Sequence, residues 1–180
     1  DDIANVMRDL GVRKAHIIGC SMGGYATLHF GLRYPRMARS LTVIGAGYGS
    51  DPDKRTQFLR DTETMARRFE ELGTPEAIST YQIGPARVQL QNKDPRAFLE
   101  FCEGFAEHSA LGSANTLRGV QARRPTIYGL ERGLARMKVP THILSGDEDN
   151  QCLEPGIFVK RVCAAARLTV VAATGHAVNI

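Results

Sequence analysis

The stretch Ala15-His16-Ile17-Ile18-Gly19-Cys20-Ser21-Met22-Gly23-Gly24 decides the reading of this chain. Residues 15–19 form a short apolar run of strand length. Residues 22–34 carry helical spacing up to Pro35, which disfavours helical backbone in the residue before it. Between them lies the pattern G-x-S-x-G. A serine in a sharp strand-to-helix turn exposes its hydroxyl above the sheet. Flanking glycines let strand and helix approach closely, and the helix points its N-terminus at negative charge developing there. With 18 glycines in 180 residues, such a pentapeptide arises by chance at a rate of roughly 0.07, so the motif draws its weight from the strand before it and the helix after it.

Outward from this turn, strands alternate with helices. Ile3, Val6, Met7 and Leu10 fall at helical spacing and predict a helix over 2–10, stopped by Gly11. Further buried strands are predicted at 40–46, 141–145 and 168–172, with a helix at 156–165. Residues 53–137 are charged and helical in pattern, and contain no convincing strand. Breaks at Gly73-Thr74-Pro75, Gly84-Pro85, Asp94-Pro95 and Pro125 divide them into roughly five helices. There is no internal repeat and no low-complexity segment. The order predicts an α/β fold with a parallel sheet, covered on both faces because its strands are short and apolar. Residues 1–50 and 138–180 form the core, and 51–137 an inserted all-helical cap.

Bulk properties narrow the function classes. Apolar residues make up 43% and charged residues 23%, as in soluble globular domains. No apolar run approaches membrane-spanning length. The net charge of +4 includes the pairs Arg67-Arg68 and Arg123-Arg124, expected in helices. These basic residues are scattered among acids with no interleaved aromatics, so they read as solvated helix faces and not as a nucleic-acid patch. The four cysteines, Cys20, Cys102, Cys152 and Cys163, show no CxxC spacing and suit free thiols in a reducing cytoplasm.

An activated serine needs a base, and the base needs an orienting acid. Asp147, Glu148 and Asp149 directly follow strand 141–145, and Gly175-His176 follows strand 168–172. Ser21 follows strand 15–19. All three positions lie at the C-terminal ends of parallel strands, the edge where open α/β sheets place ligands. His16 and His142 fall within strands as packed or surface residues. His29 lies on the helix after the serine turn, and His108 ends a helix of the insert.

The pieces HIIGCSMGG, SLTVIGA, VPTHILSGDEDN and TVVAATGHAVNI together resemble the α/β-hydrolase fold family, in its capped esterase, lactonase and C–C-hydrolase branch. The resemblance implies a core sheet with a helical cap and the chain order serine, acid, histidine. It assigns Ser21 as nucleophile, Asp149 rather than Asp147 as acid, with Asp51 as a second option, and His176 as base. It places the Met22 backbone N–H in the oxyanion hole. It also implies several strands before the serine turn, and a loop among them supplying another oxyanion donor. The chain, opening at Asp1 and stopping four residues after His176, reads as the second half of the core sheet plus the cap, with strand 15–19 an unpaired edge. As an isolated piece it is expected to be poorly soluble and inactive.

The function expected is hydrolysis of a small ester or lactone through an acyl-enzyme, without metal or organic cofactor. C–C bond hydrolysis, perhydrolysis and ligand binding without turnover are the alternatives. Arg87 and Arg118 could attract a carboxylate-bearing substrate, although surface placement is the simpler reading. The partner expected is a small-molecule substrate, with neither nucleic acid nor membrane, and a homodimer stays open. The location expected is cytoplasmic, with a signal peptide not excluded.

Overall fold

Four strands, β1 (Ala15–Cys20), β2 (Ala38–Ile44), β3 (Thr141–Gly146) and β4 (Ala166–Val171), pair in parallel and in chain order. They come from a computed structural model that describes residues 1–82, 84 and 86–180. Pro85, half of one expected helix break, lies outside the described residues. The chain divides into two compact units: a core unit of Asp1–Tyr48 with Thr126–Asn179, and a helical unit of Gly49–Pro125 together with Ile180.

In the core unit, α1 (Asp2–Asp9) precedes β1, α2 (Met22–Arg33) follows it, and α9 (Asn150–Val162) joins β3 to β4. A short 3₁₀ turn, Tyr128–Leu130, leads into α8 (Glu131–Leu134) ahead of β3. The parallel sheet with flanking helices is the α/β architecture read from the sequence. Ile17, Leu41, Val43 and Ile143 are buried in one cluster with Leu28 and Phe30 of α2, Leu134 of α8 and Val159 of α9. Their strand neighbours Ile18, Thr42, Ile44 and Leu144 are exposed or half-buried. Among the described residues, the helices of the core unit thus pack on one face of the sheet. Strands added in one direction by right-handed crossovers place every connecting helix on the same side, and the burial alternates accordingly.

Several boundaries also shift. β2 begins at Ala38, two residues before the expected start. In α1 the inward residues are Ala4 and Met7, while Ile3, Val6 and Leu10 are exposed. α9 starts at Asn150, directly after Asp149, and runs through Pro155 instead of starting beyond it. Pro155 has no N–H to give the Gln151 carbonyl, so one bond of the helix is missing there. Asp1 anchors α1 by pairing with Arg33 at 2.9 Å and accepting from the Tyr34 hydroxyl.

The helical unit contains α3 (Arg55–Leu72), α4 (Thr74–Gln82), α5 (Val88–Lys93), α6 (Pro95–Ala106) and α7 (Ala110–Thr116), followed by a π turn over Leu117–Gln121. Its core is Ala66, Phe69, Ala77, Ile78 and Ala114. Arg123 and Arg124 lie in the turn after the π segment, not in a helix. Arg55 ties the two ends of the unit together: its guanidinium donates to the carbonyls of Gly49 (2.9 Å), Ala122 (2.9 Å) and Arg124 (3.1 Å).

Candidate active site

Ser21 sits between the last residue of β1 and the first of α2, at φ 56° and ψ −113°. A non-glycine residue at positive φ is strained and persists only where its surroundings over-determine it. Here the Ser21 N–H donates to the Ile44 carbonyl at 2.8 Å, extending the β1–β2 ladder into the turn, and the Ser21 carbonyl accepts from Tyr25. Close approach explains two glycines of the motif. A Cβ on Gly19 would lie 2.1 Å from the Gly23 carbonyl oxygen, and one on Gly24 would lie 2.9 Å from the Ala46 side chain. A Cβ on Gly23 would meet nothing, so the second close approach belongs to Gly24, one residue beyond the pentapeptide.

The structure brings Ser21, Asp149 and His176 together within the core unit. His176 Nε2 lies 2.9 Å from Ser21 Oγ, and His176 Nδ1 lies 2.7 Å from Asp149 Oδ2. Asp149 is 4% exposed. A carboxylate can only accept, so Nδ1 carries the proton toward Asp149, and Nε2 is left as acceptor for the serine hydroxyl. Each residue arrives from the end of a different strand: Ser21 from β1, Asp149 from the turn after β3, His176 from the loop after β4. Met22 opens α2, so its N–H is one of those an α-helix leaves without an intrahelical acceptor. Asp51, the second option for the acid, accepts from the Asp53 N–H and pairs with Lys54 at 3.5 Å.

Three contributors carry no motif of their own. Asp147 accepts from the backbone N–H groups of Thr174 and Ala173, each at 3.0 Å, and so holds the loop that presents His176. The Thr174 bond, then the Ala173 bond, keeps the Asp147 carboxyl below the ordinary aspartate range. Gly45, at φ 53° just past β2, lies against the histidine, where a Cβ would stand 3.2 Å from His176 Nδ1. The Cys152 thiol, fully buried in the first turn of α9, donates to the Gly45 carbonyl at 3.2 Å and lies 3.9 Å from His176 Nδ1. The available signals are positional: a second acid two residues before Asp149, a glycine at a strand end, and a cysteine three residues after the acid.

The remaining candidates lie elsewhere. His16 Nδ1 meets Ser40 Oγ at 2.7 Å, and His142 Nε2 meets Thr169 Oγ1 at 2.9 Å. Burial, then Arg33, lowers the pKa of His29. His108 is exposed just after α6, its ring edge-on to Phe105. In the helical unit, Arg118 pairs with Glu63 at 2.9 Å and also with Glu70, so its charge is already answered within the protein. Arg87 lies over the Phe101 ring.

A strained serine between a parallel strand and a helix, hydrogen-bonded to a histidine that is bonded to a buried aspartate, defines the hydrolase class built on an open α/β sheet. The model of the alpha/beta hydrolase family matches residues 1–180, and the chain belongs to that family. It is similar to the putative 2-succinyl-6-hydroxy-2,4-cyclohexadiene-1-carboxylate synthase of Bacillus subtilis, 21% identical over 99% of this chain. Its fold matches MenH from S. aureus with a TM-score of 0.87 at 17% identity, covering 98% of this chain. It matches the enol-lactonase from Burkholderia xenovorans with a TM-score of 0.80 at 16% identity, covering 99%. The chain spans 65% of the B. subtilis relative, 66% of the S. aureus protein and 65% of the enol-lactonase. Among the described residues, no helix is long and apolar enough to cross a membrane.

Proposed function

We propose that the protein is a serine hydrolase of small carboxylic esters or lactones, working through Ser21, His176 and Asp149. The observation that carries this reading is the continuous hydrogen-bond chain Ser21 Oγ to His176 Nε2 (2.9 Å) and His176 Nδ1 to Asp149 Oδ2 (2.7 Å). His176 takes the serine proton as Oγ attacks the carbonyl carbon. Asp149 holds the imidazole in the tautomer that leaves Nε2 free to accept, and stabilises the cation that forms. The Met22 N–H, at the positive end of α2, donates to the oxyanion, a contribution of about 3 kcal/mol for one such donor. His176 returns the proton to the leaving alcohol. Water, deprotonated by the same histidine, then releases the acyl group. The substrate is a small molecule, and the setting is a reducing cytoplasm, which four cysteines without CxxC spacing suit.

The test is labelling of the intact protein with a fluorophosphonate, with the adduct located by peptide mass spectrometry. An adduct on Ser21 that is absent from Ser21→Ala, together with ester or lactone turnover lost in the same variant, supports the reading. Folded protein that takes no label refutes it.

A further inference from the structure

Asp149, Cys152 and His176 offer one donor atom each, a carboxylate oxygen, a thiol sulfur and Nδ1, all within 4.8 Å of one another. Asp149 is the N-cap of α9 and Cys152 lies in its first turn, three residues on. His176 faces them from the loop after β4. All three donors belong to the core unit. We propose that this cluster is an inhibitory site for a thiophilic divalent cation, with Zn²⁺ as the type ion. The loss of turnover that follows rests on the hydrolase reading above; the binding itself does not.

The donor set is one that zinc takes: thiolate, imidazole and carboxylate, with a water completing the tetrahedron. Metal–ligand lengths of about 2.0–2.3 Å place tetrahedral donors about 3.3–3.6 Å apart. The Nδ1–Sγ separation of 3.9 Å has to close by a few tenths of an ångström, and the Nδ1–Oδ2 separation of 2.7 Å has to open by somewhat more. Binding therefore requires the three side chains to rotate toward a common centre. The thiol gives up its hydrogen bond to the Gly45 carbonyl when it ionises. Because Cys152 is fully buried and the His176 side chain is 15% exposed, the ion enters past the imidazole, and capture is slow.

The chemical consequence follows from the tautomer. In the free site the ring proton is on Nδ1, and Nε2 accepts from Ser21. A metal takes the Nδ1 lone pair, so the single proton of the neutral ring moves to Nε2. Nε2 then donates and cannot receive the serine proton. The thiol proton leaves to solvent, so each ion bound at neutral pH releases one proton, with no change of oxidation state.

The experiment is competition for Zn²⁺ between the intact protein and a chromophoric chelator, run on wild type, Cys152→Ser and Cys20→Ser, alongside esterase or fluorophosphonate kinetics. One ion per chain is expected, with affinity at least about tenfold weaker in Cys152→Ser and unchanged in Cys20→Ser. Labelling of wild type should fall with time after zinc is added and recover with a chelator, whereas the labelling rate of Cys152→Ser, whatever its value without metal, should not change when zinc is added. Equal zinc affinity in wild type and Cys152→Ser, or equal weakening in Cys20→Ser, overturns the site. Turnover without zinc binding refutes the metal proposal alone. Cys152-dependent zinc binding in a protein that neither labels nor turns over refutes the hydrolase reading alone.

Discussion

Thr174 is bonded to Asp147 and to the residue after it: the Thr174 N–H donates to the Asp147 carboxylate at 3.0 Å, and the Thr174 carbonyl accepts from the Glu148 N–H at 3.0 Å. The turn that carries Asp149 is thereby fastened to the loop that carries His176, two residues from each. Removing the carboxylate in Asp147→Ala should lower the rate of Ser21 labelling by about tenfold, within the roughly 10²-fold that a misplacement of about 1 Å costs. Because the Asp147 carboxyl is held below its ordinary range, the unfolded chain binds its proton first as pH falls. The stabilisation is therefore complete above the ordinary aspartate range and is lost as pH falls through the lowered folded value. Urea midpoints followed from neutral to acid pH should decline less steeply in Asp147→Asn than in wild type; parallel curves would count against the staple.

Asp149→Asn tests the tautomer directly. An amide presents an N–H as well as a carbonyl, so Nδ1 can be made the acceptor and Nε2 the donor. Turnover should fall on the order of 10⁴-fold while the fold and KM change little. Steady-state kinetics with an activated ester would measure it, and a loss below tenfold would remove Asp149 from its role.

Gly45→Ala brings a methyl to 3.2 Å from His176 Nδ1 at a residue with φ 53°. An L-residue there costs about 1–2 kcal/mol in backbone strain, and the methyl presses the imidazole away from Asp149. Labelling of Ser21 should slow by more than tenfold with a lowered but still cooperative unfolding midpoint. A variant that is destabilised yet labels at the wild-type rate would show that the close contact is structural only.

In the helical unit, Arg118, then Arg67, holds the Glu63 carboxyl down at about 2 from an ordinary value of 4.5. Folding thus gains from this group above about pH 4.5 and loses the gain as pH falls toward 2. Arg118→Met should flatten this part of the acid limb of urea unfolding. Raising the salt concentration should reproduce part of the effect, because the groups face solvent.

Much of this was legible locally. The strand, turn and helix around Ser21 follow from Ile17-Ile18, the glycine positions and the helical spacing beyond them. Strand-length apolar runs pointed to the acids at 147–149 and to His176, and the family resemblance chose Asp149 among those acids. Three features were not legible. The helix expected at 156–165 begins instead at Asn150 and runs through Pro155, which is buried within the unit. Ile3, Val6 and Leu10 have the spacing of a core face, but Ala4 and Met7 take the inward positions. Cys152 belongs to no motif, and only the fold places it 3.9 Å from the histidine.

By itself the sequence determined which segments are strands, that they run parallel, and which serine, acid and histidine end them, because periodicity and turn chemistry are properties of neighbouring residues. Only the tertiary structure decided that the described helices of the core unit pack on one face of the sheet, that Gly24 and not Gly23 is at the close approach, and that Asp147, Gly45 and Cys152 surround the histidine. Those facts depend on the order in which strands pair and on which residues distant in the chain meet. Strand order β1-β2-β3-β4 sets the first, and backbone packing within a few ångströms sets the others.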